Sequence, residues 1–157
     1  MSARRGRRLP ALLLVVAATA QADTHVDARD YPAPGQGAAA FAQMERALVR
    51  GFDDVCGDTF CEGEYANLRA LQLRCAVRRR DGSVVRCLWS FAGSWASVDP
   101  ATGEAQVQAS TYACALPLAA ETPLSLLLAT LGSEADALER PLPGTTLTAY
   151  DALVDCL

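Results

Sequence analysis

Leu71-Gln-Leu-Arg-Cys75-Ala-Val-Arg-Arg-Arg80-Asp-Gly-Ser-Val-Val85-Arg-Cys87-Leu-Trp89-Ser-Phe91 decides the fold. Leu71, Leu73, Cys75 and Val77 alternate with Gln72, Arg74, Ala76 and Arg78, and after Arg80-Asp81-Gly82 the alternation resumes with Val85, Cys87, Trp89 and Phe91. A period of two marks strands buried on one side, and two such runs around a glycine-bearing turn make a hairpin. A three-residue loop wants glycine at its left-handed third position, which Gly82 supplies. Arg79 then opposes Ser83. Counting back sets Cys75 opposite Cys87, on one face with Leu73, Val77, Val85 and Trp89. A two-residue Asp-Gly turn would instead offset the two cysteines by one residue.

The chain to the C-terminal side repeats the device. In Asp99-Pro100-Ala101-Thr102-Gly103-Glu104, proline stands early and glycine late, as a four-residue connection around a type I turn requires. With Asp99 opposite Glu104, Phe91 meets Tyr112, Trp89 meets Cys114 and Cys87 meets Leu116. Both turns therefore put Cys75, Cys87 and Cys114 on one face, which predicts a three-stranded antiparallel meander. A slip of one residue in either hairpin would turn a strand inside out.

Helices flank the meander. Phe41, Met44, Leu48, Phe52 and Val55 recur at three- and four-residue steps in an alanine-rich stretch, predicting an amphipathic helix from Ala38 to Asp53 or Asp54, with Gln43, Glu45, Arg46 and Arg50 outward. Thr122 and Pro123 open a second helix bearing Leu124, Leu127, Leu128 and Leu131 and ending at Gly132. Ser133 to Arg140 reads as a further turn or two. After Pro141-Leu-Pro-Gly144, Thr145 or Thr146 caps a last helix with Leu147, Tyr150, Leu153, Val154 and Leu157. The fold class read from the sequence is α+β: an N-terminal helix, the meander and C-terminal helices, stapled by disulfides.

The first 22 residues read differently. Arg4, Arg5, Arg7 and Arg8 precede an apolar run from Leu9 to Ala20, and Ala20 and Ala22 flank Gln21. Basic, then apolar, then Ala-x-Ala is the order of a secretory signal peptide, here cut after Ala22 or, second, after Ala20. The run falls short of the roughly 20 residues of a spanning helix. No cysteine stands nearby to carry a lipid, and Pro10 and Ala11 occupy places where a twin-arginine signal has bulky apolar residues. Residues 23–37, with Tyr31, Pro32, Pro34, Gly35 and Gly37, read as an extended flexible N-terminus of the mature chain, and 38–157 as one domain.

The whole chain carries 14 basic and 18 acidic residues, for a net charge of −4. Taking the four leader arginines from 14 leaves 10, so the mature chain is near −8. That balance argues against nucleic acid or an anionic membrane surface as partner and is compatible with a basic protein.

Six cysteines in an exported chain read as a disulfide framework. The ranking by geometry pairs Cys56 with Cys61 across a short loop and Cys75 with Cys87 across the hairpin, leaving Cys114 for Cys156. No Cys-x-x-Cys spacing occurs, and the single histidine, His25, lies in the expected flexible N-terminus of the mature chain, so neither a metal nor another cofactor is implied. Asp54, Asp58, Glu62 and Glu64 crowd the Cys56–Cys61 loop and offer oxygen ligands to calcium, without the order of an EF-hand. The competing reading is a solvated turn. Arg74, Arg78 and Arg86 share the other face of the first hairpin and suit a carboxylate or phosphate on a partner.

The Cys56-x4-Cys61-Glu-Gly-Glu-Tyr65 stretch, Cys87-Leu-Trp89 and the ending Tyr150-Asp-x-Leu-x-Asp-Cys156-Leu157 together resemble a group of small secreted bacterial proteins with six cysteines and no assigned activity. The signal-like first 22 residues and the cysteines imply a periplasmic or secreted location; the resemblance transfers no functional residue. The expectation is a non-enzymatic exported protein that binds a macromolecule or stabilises an envelope assembly. The alternatives are an inhibitor of a basic secreted hydrolase and a carboxylate-dependent hydrolase.

Overall fold

The computed structural model describes residues 24–56, 60–62, 67–133 and 136–157. The leader, 1–22, lies outside the described residues. The fold is α+β, built on a four-stranded antiparallel sheet of order β1-β2-β3-β4: β1 His25–Asp27, β2 Arg69–Arg78, β3 Val84–Val98 and β4 Ala105–Ala115. The expectation of three strands led by a helix is thereby corrected, because a strand comes first and adds to the free edge of β2. Val26 faces Val77, and the following 3-10 helix, Ala28–Asp30, seals Ala28 completely from solvent. Part of the segment expected as a flexible N-terminus thus supplies an element of the sheet.

The two hairpins hold the expected cysteine register. Cys75 faces Cys87, Trp89 faces Cys114 and Phe91 faces Tyr112. The first turn nonetheless differs from the three-residue loop. Arg78 N–H donates to the Ser83 carbonyl at 2.8 Å and Gly82 N–H to the Arg78 carbonyl at 2.9 Å, so the loop holds four residues, Arg79 to Gly82. Val77 consequently faces Val84, and a bulge at Val85 restores the pairing before Cys87 is reached. The bulge explains why Val84 is buried and Val85, expected on the cysteine face, is exposed. A second irregularity, between Ala70 and Gln72, likewise turns Leu71 outward.

One face of the sheet carries the core. The first helix, α1, Ala38–Cys56, lays Phe41, Met44, Ala47, Leu48 and Phe52 against it, the spacing of a single helical stripe. Phe52 meets Phe91 at 5.0 Å between ring centroids, and Phe91 meets Trp89 at 4.8 Å. The second helix, α2, Leu124–Leu131, adds Leu124, Leu127 and Leu131. Its start is tied to the first hairpin: Val84 N–H donates to the Thr122 carbonyl at 2.7 Å and Leu124 N–H to the Gly82 carbonyl at 2.9 Å. Pro123, not Thr122, takes the cap position, while the Thr122 hydroxyl donates to the Ala119 carbonyl. The third helix, α3, Ala149–Val154, begins later than expected, at Thr148, which forms a reciprocal capping box with Asp151. Among the described residues no helix is long and apolar enough to cross a membrane.

Candidate functional site

All six cysteines are joined, and in the expected pairs: Cys56 to Cys61, Cys75 to Cys87, and Cys114 to Cys156. The Cα atoms of Cys75 and Cys87 lie 4.1 Å apart, the close approach of a non-hydrogen-bonded antiparallel pair. Cys75, Cys87 and Cys114 are buried on the helix-covered face. The bonds therefore brace that side and leave the opposite face of the sheet to solvent.

The open face is where the chemistry-bearing side chains gather. Alternation along β2 and β3 brings up Arg74 and Arg86, both exposed; Arg74 pairs with Leu88 and Ala76 with Arg86, so the two arginines are diagonal neighbours on adjacent strands. Side chains so placed are about 7–8 Å apart at their bases, within joint reach of one acidic group. From β1, Asp27 approaches Arg74 at 3.8 Å and His25 joins the same surface. Together His25, Asp27, Arg74, Ala76, Arg86 and Leu88 line a shallow groove of about 360 Å³. Arg86 makes no ion pair among the described residues.

Arg78 behaves differently from its two neighbours. Its guanidinium is 3.3 Å from Asp81, 3.0 Å from the Ser83 hydroxyl and 3.9 Å from Glu121. It is committed to the hairpin turn and the start of α2, so the stripe of three arginines reduces to a pair, Arg74 and Arg86, with a structural third member. Sequence reasoning left His25 out of the site, because His25-Val26-Asp27 alternates for three residues, too short a run to separate from a flexible N-terminal segment.

The expected calcium set is divided. Asp58 and Glu64 lie outside the described residues, and Glu62 is described only as backbone, at the end of the 3-10 helix Phe60–Glu62. Asp54 stands exposed near the end of α1, beside a cleft it shares with Arg50 and Glu139. Among the described residues no three His, Cys, Asp or Glu side chains are grouped to hold a metal ion.

Carboxylates with displaced acidity serve turns. The Ser83 hydroxyl and N–H, followed by Arg80 and Arg78, hold Asp81 well below the ordinary carboxylate range. Asp99 is lowered by the backbone N–H groups of Thr102 and Ala101, and Asp151 by the N–H and hydroxyl of Thr148. In each case the anion is hydrogen-bonded to its own turn or cap, the geometry that favours ionisation.

Comparison with family models, with curated proteins and with solved structures returns no match.

Proposed function

We propose that the protein is an exported, non-enzymatic binding module that seats a macromolecular partner on the open face of its sheet. The carrying observation is the division of the sheet: helices and disulfides lie on one side, and Arg74 and Arg86 stand over an uncovered groove on the other. Three disulfides suit an oxidising compartment outside the cytosol, and a stapled sheet presents side chains on a rigid base. The groove's chemistry favours a partner carrying carboxylates, since guanidinium groups on adjacent strands accept them by paired N–H donation. Thus the local field, rather than the net negative charge, selects the partner. The displaced carboxylates bear on the same reading, because each is engaged in holding a turn or a helix cap.

A labelled glutamate-rich peptide, titrated by fluorescence anisotropy at low and high salt, tests the reading. Replacing Arg74 and Arg86 together by glutamate should weaken binding at least about tenfold, the loss of one or more charge-assisted contacts, while thermal unfolding stays unchanged. Equal binding by the parent and the variant would remove the groove from consideration.

A further inference from the structure

Among the described residues β4 is the outermost strand of the sheet, and β3 is the strand it pairs with. Edge strands are normally blunted by lysine, proline, a bulge or a covering element. Ala105-Gln-Val-Gln-Ala-Ser110-Thr-Tyr-Ala-Cys-Ala115 has neither charge nor proline, and its pairing with β3 runs without a register shift through 11 residues. From Cys87 to Ala120 the only charged residues are Asp99 and Glu104, both at the hairpin tip. On the open face, Ala105, Val107, Ala109, Thr111, Ala113 and Ala115 are all exposed, with Val107 at 71 %. An acidic protein has thus kept one long, flat, neutral edge.

We infer that β4 is a self-association strand, on which a second copy of this chain adds its own β4 antiparallel to give one continuous eight-stranded sheet. Three features select a second copy over a foreign strand. The first is self-complementarity: antiparallel addition across a two-fold axis sets each β4 against the same surface in its partner. The second is charge. The tip carries Asp99 and Glu104, whereas the opposite end of the same sheet carries Arg86, two residues beyond the Leu88–Ala115 pair, and Arg79 in the β2–β3 turn; Arg78 and Arg80 there are paired with Asp81 and Glu121. Antiparallel pairing brings the acidic tip of each copy toward the basic end of the other, and parallel pairing would bring like to like. The third is sufficiency. Two 11-residue strands in full register exchange about 10 backbone hydrogen bonds, as many as a typical stable protein interface holds. The two-fold axis stands perpendicular to the sheet, so both arginine grooves open on one side of the dimer.

Sedimentation velocity on the disulfide-bonded protein, from low micromolar to near-millimolar concentration, tests this together with amide hydrogen exchange read over residues 105–115. The expected result is a doubling of mass with rising concentration and a parallel gain of protection in β4. Ala109→Lys with Thr111→Lys places charges that face each other across the two-fold axis; it should abolish the heavier species and leave the monomer's melting temperature and circular dichroism as they were. If those two lysines prevent folding, Val107→Glu serves in their place, at a site exposed enough to bear a charge. A protein that stays monomeric throughout the range overturns the inference, even where an added extract protects β4, since that would assign the edge to a foreign strand. A dimer that survives the lysines, or that forms with no change in β4 exchange, overturns it as well.

Discussion

Glu45, in the middle of α1, accepts the backbone N–H of Leu73 at 2.9 Å, just past the irregularity that turns Leu71 outward. Its other oxygen takes Nη2 of Arg29 at 2.6 Å, and the Arg29 guanidinium lies over the Phe41 ring. One carboxylate therefore joins α1, the first 3-10 helix and the sheet, although its place in the helical pattern reads as solvent-facing. Leu73 N–H is a donor that this carboxylate satisfies. Removing the acceptor should cost about 1–3 kcal/mol, the penalty of leaving a largely buried donor unpaired. Urea unfolding of Glu45→Ala against Arg29→Ala checks the division of labour. The Glu45 variant should lose more, because the Arg29 side chain retains 31 % exposure and water can replace the carboxylate there.

The turn after β2 makes stability acid-sensitive in a defined direction. Asp81 accepts from the Ser83 hydroxyl at 2.6 Å and from its N–H at 3.0 Å, and its pKa is lowered accordingly. A carboxyl lowered on folding binds protons more readily in the unfolded chain. Its contribution is complete above the unfolded value of about 3.9 and disappears as pH falls toward the folded value. Asp99 and Asp151 are displaced the same way, so the three act in concert. Melting temperature should be flat near neutrality and fall as pH drops below about 4. Asp81→Asn should be less stable than the parent at neutral pH and show a shallower acid slope.

Tyr31 packs over the same turn. Gly82 has φ +72°, and a Cβ placed on it would lie 2.6 Å from the Tyr31 hydroxyl oxygen, whereas Gly103, with φ +73°, has nothing within 4 Å. Both positions charge an alanine the left-handed backbone penalty of about 1–2 kcal/mol. Gly82→Ala should exceed Gly103→Ala by the cost of displacing the tyrosine. Comparing the two by thermal denaturation isolates that contact, and equal losses would mean that Tyr31 moves aside freely.

Much of this was legible because hairpin chemistry is local. Pro100 and Gly103 specify the second turn and hence the Trp89–Cys114 and Phe91–Tyr112 pairs. In the first hairpin the sequence leads to the right cysteine pair by an incomplete route, since a longer loop and the bulge at Val85 offset one another. A bulge leaves no mark in an alternating pattern except one residue that fails to fit, and Val85, being apolar, does not announce itself. β1 is three residues long, and pairing with β2, not its own composition, makes it a strand. In the candidate site, alternation sufficed for Arg74 and Arg86. The recruitment of Arg78 by Asp81 and Glu121 was hidden, because Glu121 comes from a segment that only the fold brings near.

The three disulfides should not be equal in what they contribute. They close loops with sequence separations of 42, 12 and 5 residues for Cys114–Cys156, Cys75–Cys87 and Cys56–Cys61. If restriction of the unfolded chain dominates, their contributions run to about 4, 3 and 2 kcal/mol respectively. Packing pushes the order another way. Cys75 and Cys87 are both buried between the strands and α1, so replacing that pair by alanine also leaves a cavity in the core. Cys156, by contrast, is half-buried near the chain end, beyond the last helix. Paired alanine variants, compared by denaturant unfolding under oxidising conditions, separate the two effects. Loss in the order Cys114–Cys156, Cys75–Cys87, Cys56–Cys61 assigns the stabilisation to chain entropy. A greater loss for Cys75–Cys87 than for Cys114–Cys156 assigns it to the packing of the sheet against α1, the arrangement that keeps the opposite face flat and open.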